Sequence, residues 1–228
     1  TERLLTHGSI LPSERKMSQT LELSRVTVVK ALDALLEAGL VIKRHGKGTE
    51  VNLPVSYNLA SGGFSAQLQN SGTVSNRWLV REKLAADDFL ARELEIAVGD
   101  RVAKIKRVRL VDALPVSIET MFIPERFLPR PDLLEGSLYA HWAENNIFPD
   151  LQDYSLTVHI PSGEELNLLD LPQGVPLMKI TLKSRNAQGE VLEYGTAFCL
   201  SNYFNFDFRV KLQSASGGKP GSAHKKDA

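Results

Sequence analysis

The chain has 228 residues, 43% of them hydrophobic, with 27 Lys+Arg matched by 27 Asp+Glu and a single cysteine. That length allows one small and one medium domain, each with its own core, and zero net charge excludes a general polycation that coats nucleic acid or membranes. The lone Cys199 excludes an internal disulfide framework and a thiolate metal cluster. No apolar run approaches the roughly 18 residues of a membrane span, and no signal peptide opens the chain, so a cytoplasmic protein with no membrane partner is expected. The chain begins TERLL without a methionine, so natural N-terminal residues are expected to precede it. At the other end SASGGKPGSAHKKDA is small, polar and glycine-rich, which predicts a disordered tail over 213–228.

In chain order, Leu11-Pro12-Ser13 announces a helix over 14–21: Ser13 can cap orphan amides, and Glu14 suits the positive end of the helix dipole. Ser24 is the next cap. Beyond it Val28, Ala31, Leu32, Leu35 and Leu36 recur at helical spacing until Gly39 supplies a left-handed stop. Residues 40–44 and 49–51 then read as short strands joined by His45-Gly46-Lys47-Gly48, a tip that can approach a backbone closely and whose cations suit phosphates. Two helices, a tight turn and a basic hairpin make the order of a winged helix, with double-stranded DNA as the expected partner; the alternative is a solvated basic hairpin. A phosphate-binding loop fails, because Val41 stands where its first glycine is needed and Gly48 follows the lysine.

On the second helix Val26, Lys30 and Asp33 lie away from the apolar stripe, with Thr27 on its flank and Arg25 at the first turn. Asp33 and Glu37 would repel phosphates, so the helix should enter a major groove by its N-terminal end. Arg25 is then placed for a base or phosphate contact, Thr27 for a phosphate and Val26 for a thymine methyl. Residues 1–51 hold eight Lys/Arg against six Asp/Glu, so the position of each cation matters more than their excess. Each phosphate neutralised should contribute roughly 0.9 to the salt slope.

LPSER, SRVTV, ALDALLEAGLV and HGKGT, in that order and spacing, resemble the winged-helix domain of the GntR family of bacterial transcription regulators. The resemblance implies that Arg15, Arg25, Thr27 and Gly46 belong to the DNA interface, and Ser24, Val26, Lys30, His45 and Lys47 complete the candidate set. The family often has a basic residue after the SRxTV valine. Here that place is Val29, with Lys30 beside it to take over part of the role.

The winged helix is assigned to 1–52 and a linker to 53–63, where Pro54, Ser56, Asn58 and Gly62-Gly63 cluster. A second domain is expected over 64–212. Its predicted elements are a short helix at 64–69, a strand at 77–83, a helix at 88–94, a hairpin of 101–111 with 116–123, a helix at 137–145 and a strand at 154–160. A capping box at Ser162-x-x-Glu165 and a second hairpin, 177–184 with 191–200, follow. The whole is an α+β chain, its second domain built on an antiparallel sheet. LEIAVGDRVAKIKRVR, PVSIETMFIP, SLY and GEVLEYGTAF are similar to the UTRA domain of the HutC subfamily of GntR regulators, across about 73–210. That similarity implies a ligand-sensing, dimer-forming domain with a fold like that of chorismate lyase.

Spacing gives this domain a pocket of its own. Arg107 and Arg109 are two apart on a strand, so both guanidiniums leave one face and could grip one anion. With a three-residue turn Glu119 stands opposite Arg107. The alternative is a cross-strand ion pair on a wet sheet face. From the resemblance, Ser137, Tyr139 and Glu193 join the effector set. A helix N-terminus suits an anion at Ser137, while a plain N-cap at Ser137 and a core aromatic at Tyr139 fit equally well. Where many relatives have a basic RGDRY-like segment this chain has Leu200-Ser201-Asn202-Tyr203-Phe204. Two positive charges fewer favour a carboxylate, a sugar or a mono-anionic phosphoester over a strongly anionic phosphate.

No catalytic constellation is found: Gly63-Phe64-Ser65-Ala66-Gln67 lacks the second glycine of a nucleophile elbow, and His7, His45, His141 and His159 have no close metal-ligand companion. The expected function is therefore a dimeric, ligand-responsive regulator, a repressor acting on a palindromic operator, without cofactor or metal. An enzyme using the lyase-like fold and a winged helix that binds protein or RNA are the rival readings.

Overall fold

The computed structural model describes residues 5, 8–44, 46–52, 55–57 and 72–206. The helix expected at 64–69, His7, His45 and the tail lie outside them. Near the start, α1 (Glu14–Thr20) and α2 (Arg25–Glu37) are followed by an antiparallel pair, β1 (Val41–Arg44) and β2 (Gly48–Val51). Ser13 accepts a hydrogen bond from the Lys16 amide and Ser24 from the Thr27 amide, so both predicted caps are in place. Each such cap contributes about 1 kcal/mol. Val28 and Leu32 of α2 are buried with Val41 and Val51, whereas Ala31 and Leu35 of the predicted apolar stripe remain exposed. Among the described residues α1 and β1 pack on α2, and they cover only its Val28–Leu32 side.

The second domain is one six-stranded antiparallel sheet in the order β4-β5-β6-β9-β8-β7. Its strands are β4 (Val74–Ala85), β5 (Arg101–Val111), β6 (Leu114–Pro124), β7 (Leu151–His159), β8 (Leu177–Arg185) and β9 (Val191–Leu200). Three short helices sit against it: α3 (Asp88–Leu94), α4 (Leu138–Glu144) and α5 (Gly163–Leu168). Asp87, Ser137 and Ser162 cap them, the last in a complete capping box with Glu165. Trp142 of α4 is fully buried with Ile105, Ile123, Leu128 and Leu138, each large side chain contributing about 1.5–3 kcal/mol by leaving water. Val108, Ile118, Ala197, Cys199, Tyr203 and Phe204 belong to a second cluster.

Two departures from the predicted elements matter for the site. The β5–β6 turn has two residues, Asp112 and Ala113, both at positive φ (48° and 66°), as a tight hairpin turn requires. The register then shifts between Arg109 and Leu110, where Val116 is the extra residue on β6, so Arg107 pairs with Glu119 as a three-residue turn would have set it. The other departure lies in the linker: Val55–Tyr57 (β3) runs parallel to Phe204–Phe206 (β10), so chain leaving the winged helix is hydrogen-bonded to the end of the second domain.

Candidate functional site

On α1 and α2 the side chains of Arg15, Ser24, Arg25, Val26, Thr27 and Lys30 are all exposed, and Val26, at 65% exposure, is an apolar residue displayed to solvent. The Ser24 and Thr27 hydroxyls lie 2.8 Å apart, and Arg25 reaches Glu14 at 3.2 Å. That ion pair is exposed and weak, so a phosphate can displace the carboxylate. At the wing tip Gly46 (φ 74°) and Gly48 (φ 97°) take the left-handed backbone, and Lys47 beside them is exposed. The wing residues Lys43, Arg44 and Lys47 face Leu114, Pro115 and Leu171 of the second domain across a cleft of about 950 Å³.

The second cluster is buried. Arg107 (5% exposed), Arg109 (1%), Glu119 (2%) and Glu193 (1%) share a sheet face with Ser117 and Ser184, neither of which is exposed at all. The wet ion-pair alternative is thereby excluded. Arg107 Nε donates to Glu119 Oε2 at 2.8 Å and its NH1 to the Gly136 carbonyl at 3.2 Å, while Arg109 Nε lies 3.7 Å from Glu119 Oε1 and its NH1 donates to Asn76 at 2.8 Å. The Trp78 ring carries the guanidiniums of Arg81 and Arg107, each 5.2 Å from its centroid. Glu119 thus already occupies part of the fork that spacing offered to an anion.

Around Glu193 a hydrogen-bond chain crosses from α4 to β7. Tyr139 donates its hydroxyl to Glu193 at 2.5 Å and accepts from Gln152 at 2.6 Å; Tyr154 donates to Gln152 at 3.0 Å, and Ser184 to Glu193 at 2.9 Å. The two buried carboxyls go opposite ways. Burial alone would raise Glu119, but the charges of Arg107 and Arg109 and the Arg107 hydrogen bond outweigh it and hold the group below its ordinary value. Burial raises Glu193, and Glu119 nearby adds to the rise against the bonds from Tyr139 and Ser184. Burial likewise pushes Tyr139 well up, and Tyr154 to about 12. Ser137 caps α4, its hydroxyl accepting from the Ala140 amide, one residue beyond the carbonyl that Arg107 binds.

Five of the six expected effector residues therefore lie on one largely buried polar patch, as two clusters, Arg107 and Arg109 on Glu119 and Tyr139 on Glu193, while Ser137 is half-buried beside it and bonds only its own helix. Sequence reasoning missed Asn76, Trp78, Ser117, Gln152, Tyr154 and Ser184. Strand pairing reaches four of them, since Asn76 and Ser117 lie across from Arg109, Trp78 across from Arg107 and Ser184 across from Glu193, whereas Gln152 is opposite Ser184 and Tyr154 two residues further along β7, one strand beyond the expected set. Among the described residues no group of His, Cys, Asp and Glu could hold a metal, and no helix is long and apolar enough to cross a membrane.

Residues 1–51 match the family described as bacterial regulatory proteins, gntR family, and residues 69–205 match the UTRA domain. The chain is 31% identical over 205 residues to the HTH-type transcriptional regulator GgaR of Escherichia coli K12, covering 89% of this chain and 83% of that protein. It is 30% identical over 210 residues to the mannosyl-D-glycerate transport/metabolism system repressor MngR of the same strain, covering 89% and 85%. The crystal structure of PhnF from Mycobacterium smegmatis shares the fold, with a TM-score of 0.70 at 24% identity, covering 92% of this chain and 95% of that one. These relatives give no support to an enzyme built on the second domain. An exposed helix-turn-helix and wing joined to a sheet with a buried polar patch, together with these matches, place the chain in the GntR family of bacterial transcription regulators, as a ligand-responsive DNA-binding regulator with a UTRA effector domain.

Proposed function

We propose that the protein is a homodimeric repressor of the HutC subfamily, with residues 1–52 binding a palindromic operator and residues 64–212, beyond a 53–63 linker, binding a small metabolite and forming the dimer. Acting on chromosomal sites, it works in the cytoplasm and is not an enzyme. Arg25 and Val26 read bases, Arg15, Ser24, Thr27 and Lys30 hold the backbone beside them, and His45, Gly46 and Lys47 carry the wing onto phosphates or into the minor groove. Arg107, Arg109, Glu119, Ser137, Tyr139 and Glu193 bind the effector. The observation that carries this reading is that these residues lie together in two adjoining clusters, Arg107 and Arg109 on Glu119 and Tyr139 on Glu193, close enough for the charges of Glu119 and Arg107 to act on Glu193, with Ser137 next to the Gly136 carbonyl that Arg107 binds.

The effector class is a small anion bearing hydroxyl groups, of which a sugar acid or a sugar phosphate is an example. Arginine forks recognise the anion, and the tyrosine, glutamine and glutamate of the patch suit hydroxyls. A relative named for a mannosyl-glycerate system, a glycosylated carboxylate, agrees with that class. Effector binding favours a dimer geometry that sets the two recognition helices at the wrong spacing for the half-sites, a population shift that needs about 1–3 kcal/mol of coupling.

The test is thermal unfolding against a panel of sugar acids, sugar phosphates, amino sugars and carboxylates, followed by operator titration with and without any compound that stabilises. A ligand at 100 times its dissociation constant adds roughly 2.7 kcal/mol, which is a shift of several degrees for a protein of this size. Operator affinity unchanged at saturating ligand would refute the mechanism.

A further inference from the structure

Resting on the effector site above, one residue of the same face stands apart from the rest. Ser117 is fully buried, and its Oγ has no hydrogen-bond partner, whereas every other buried polar side chain on this face is engaged. Its position fixes where that hydroxyl points. Ser117 pairs across the sheet with Arg109 on β5 and with Cys199 on β9, and it is two residues from Glu119 on its own strand, so all four side chains leave the same face. The neighbours on the β9 side are short and apolar, Ala197 opposite Glu119 and Cys199 opposite Ser117, and offer the Ser117 hydroxyl no oxygen acceptor. A buried hydroxyl with nothing to bind costs about 1–3 kcal/mol, and an alanine of the same shape would avoid that cost. A ligand atom that bonds the hydroxyl would remove that cost.

We propose that Ser117 is a specificity-determining residue of the effector site, its hydroxyl donating to an anionic oxygen, of a carboxylate or a phosphate, bound beside Arg109. The hydroxyl lies directly across the sheet from Arg109, so it can bond an oxygen that the Arg109 guanidinium also holds. It would discriminate against ligands that present a methyl or a hydrogen at that position, because these leave the hydroxyl buried and unbonded.

The experiment uses the full chain with three probes: D-glycerate for the carboxylate, inorganic phosphate for the phosphate, and mannosylglycerate as a larger hydroxylated acid. Wild type, Ser117→Ala and Arg107→Lys are compared by thermal unfolding and by isothermal titration. Wild type should be stabilised by at least one probe, and which one responds separates carboxylate from phosphate. Ser117→Ala should melt at or above the wild-type temperature without probe, yet bind that probe at least about fivefold more weakly. Ser117→Ala binding as wild type does, while Arg107→Lys is weakened, would overturn the assignment and leave the effector site standing. Wild-type binding by both variants would overturn the site as well. A ligand-free Ser117→Ala that melts several degrees lower would mean a structural hydroxyl bound to internal water and would refute the proposal. A wild-type protein unmoved by all three probes would refute the anionic contact itself.

Discussion

Glu119 and Glu193 are equally inaccessible, at 2% and 1% exposure, and lie on one sheet face, so burial cannot distinguish them; their partners do. Glu119 faces two arginines that are themselves 5% and 1% exposed. Glu119→Gln keeps the shape and removes the charge, leaving two buried cations facing an amide. Breaking a buried pair in this way costs about 3–5 kcal/mol. For a domain of this size that is a fall in melting temperature of roughly 6–20 °C. Glu193 accepts from a tyrosine and a serine, both neutral, and burial favours its protonated form. Glutamine imitates that form, so near the ordinary value of 4.5 Glu193→Gln should cost clearly less than Glu119→Gln.

The pH dependences have opposite signs. The folded-state pKa of Glu119 is below the ordinary 4.5, so its contribution is complete above 4.5 and is lost as pH falls through the lowered value. The folded-state pKa of Glu193 is above 4.5, so the native state holds a proton that the unfolded chain has released, and stability falls as pH rises from 4.5 through the raised value. Glu193→Gln should flatten that decline, and Glu119→Gln should flatten the acid limb. Both tryptophans, Trp78 and Trp142, lie in the second domain, so urea unfolding followed by their fluorescence at a series of pH values reads this domain directly. If Glu193→Gln costs as much as Glu119→Gln near pH 4.5, the Glu193 carboxyl is ionised in the native state there and the reasoning fails.

Arg25→Ala should leave stability within about 0.5 kcal/mol, because its ion pair with Glu14 is exposed, while operator affinity falls roughly 5- to 150-fold; if the contact is to a phosphate the salt slope also drops by about 0.9, and gel-shift titrations across salt concentrations measure both. Gly195→Ala should destabilise by about 1–3 kcal/mol in urea, since the added methyl would meet the Thr120 carbonyl oxygen at 2.5 Å and the Met121 sulfur still closer; a neutral result would mean that β6 and β9 can part without cost. Tyr139→Phe removes the donor to Glu193 and the acceptor of Gln152, so a loss of about 1–3 kcal/mol is expected by the same assay, together with weaker effector binding; unchanged stability would show that the Tyr139–Glu193 bond is not formed in solution.

The sequence makes the helices and hairpins legible because their signals are local. Ser13, Ser24 and Ser162 sit where caps must, and Arg107 and Arg109 alternate with Val108 as a strand demands. The Arg107–Glu119 register was reachable from spacing, although by a compensation: a turn one residue shorter than expected plus the bulge at Val116. What stayed hidden was non-local. Gln152 and Tyr154 join the patch only because β7 lies at the sheet edge beyond β8, and Asn76 and Trp78 only because β4 flanks β5. No single strand carries that order. The apolar stripe of α2 was equally readable, but periodicity gives the width of a face and not how much of it is covered, and Ala31 and Leu35 remain in solvent.

The β3–β10 pair bears on how a buried patch can influence a helix in another domain. After β2, the Asn52 amide donates to the Leu40 carbonyl at 2.8 Å and its side chain to Gly39 at 2.6 Å, which fastens the exit of the wing to the end of α2. The following strand is held by residues 204–206, and Tyr203 and Phe204 are buried with Ile118, Ala197 and Cys199, neighbours of Glu119 and Ser117 on β6 and β9. A shift of β6 against β9 would therefore reach, through Tyr203 and Phe204, the segment that tethers the wing. A three-residue parallel pair offers only a few backbone hydrogen bonds, each contributing about 0.5–1.5 kcal/mol. Its making or breaking lies within the 1–3 kcal/mol that changes operator occupancy about 5- to 150-fold, whereas the eleven-residue β4–β5 ladder is far too strong to serve as a switch. Among the described residues, the shortest ladder reaching the second domain is thus the one joined to the DNA-binding domain of the proposed repressor, which is where a modest binding energy has most effect.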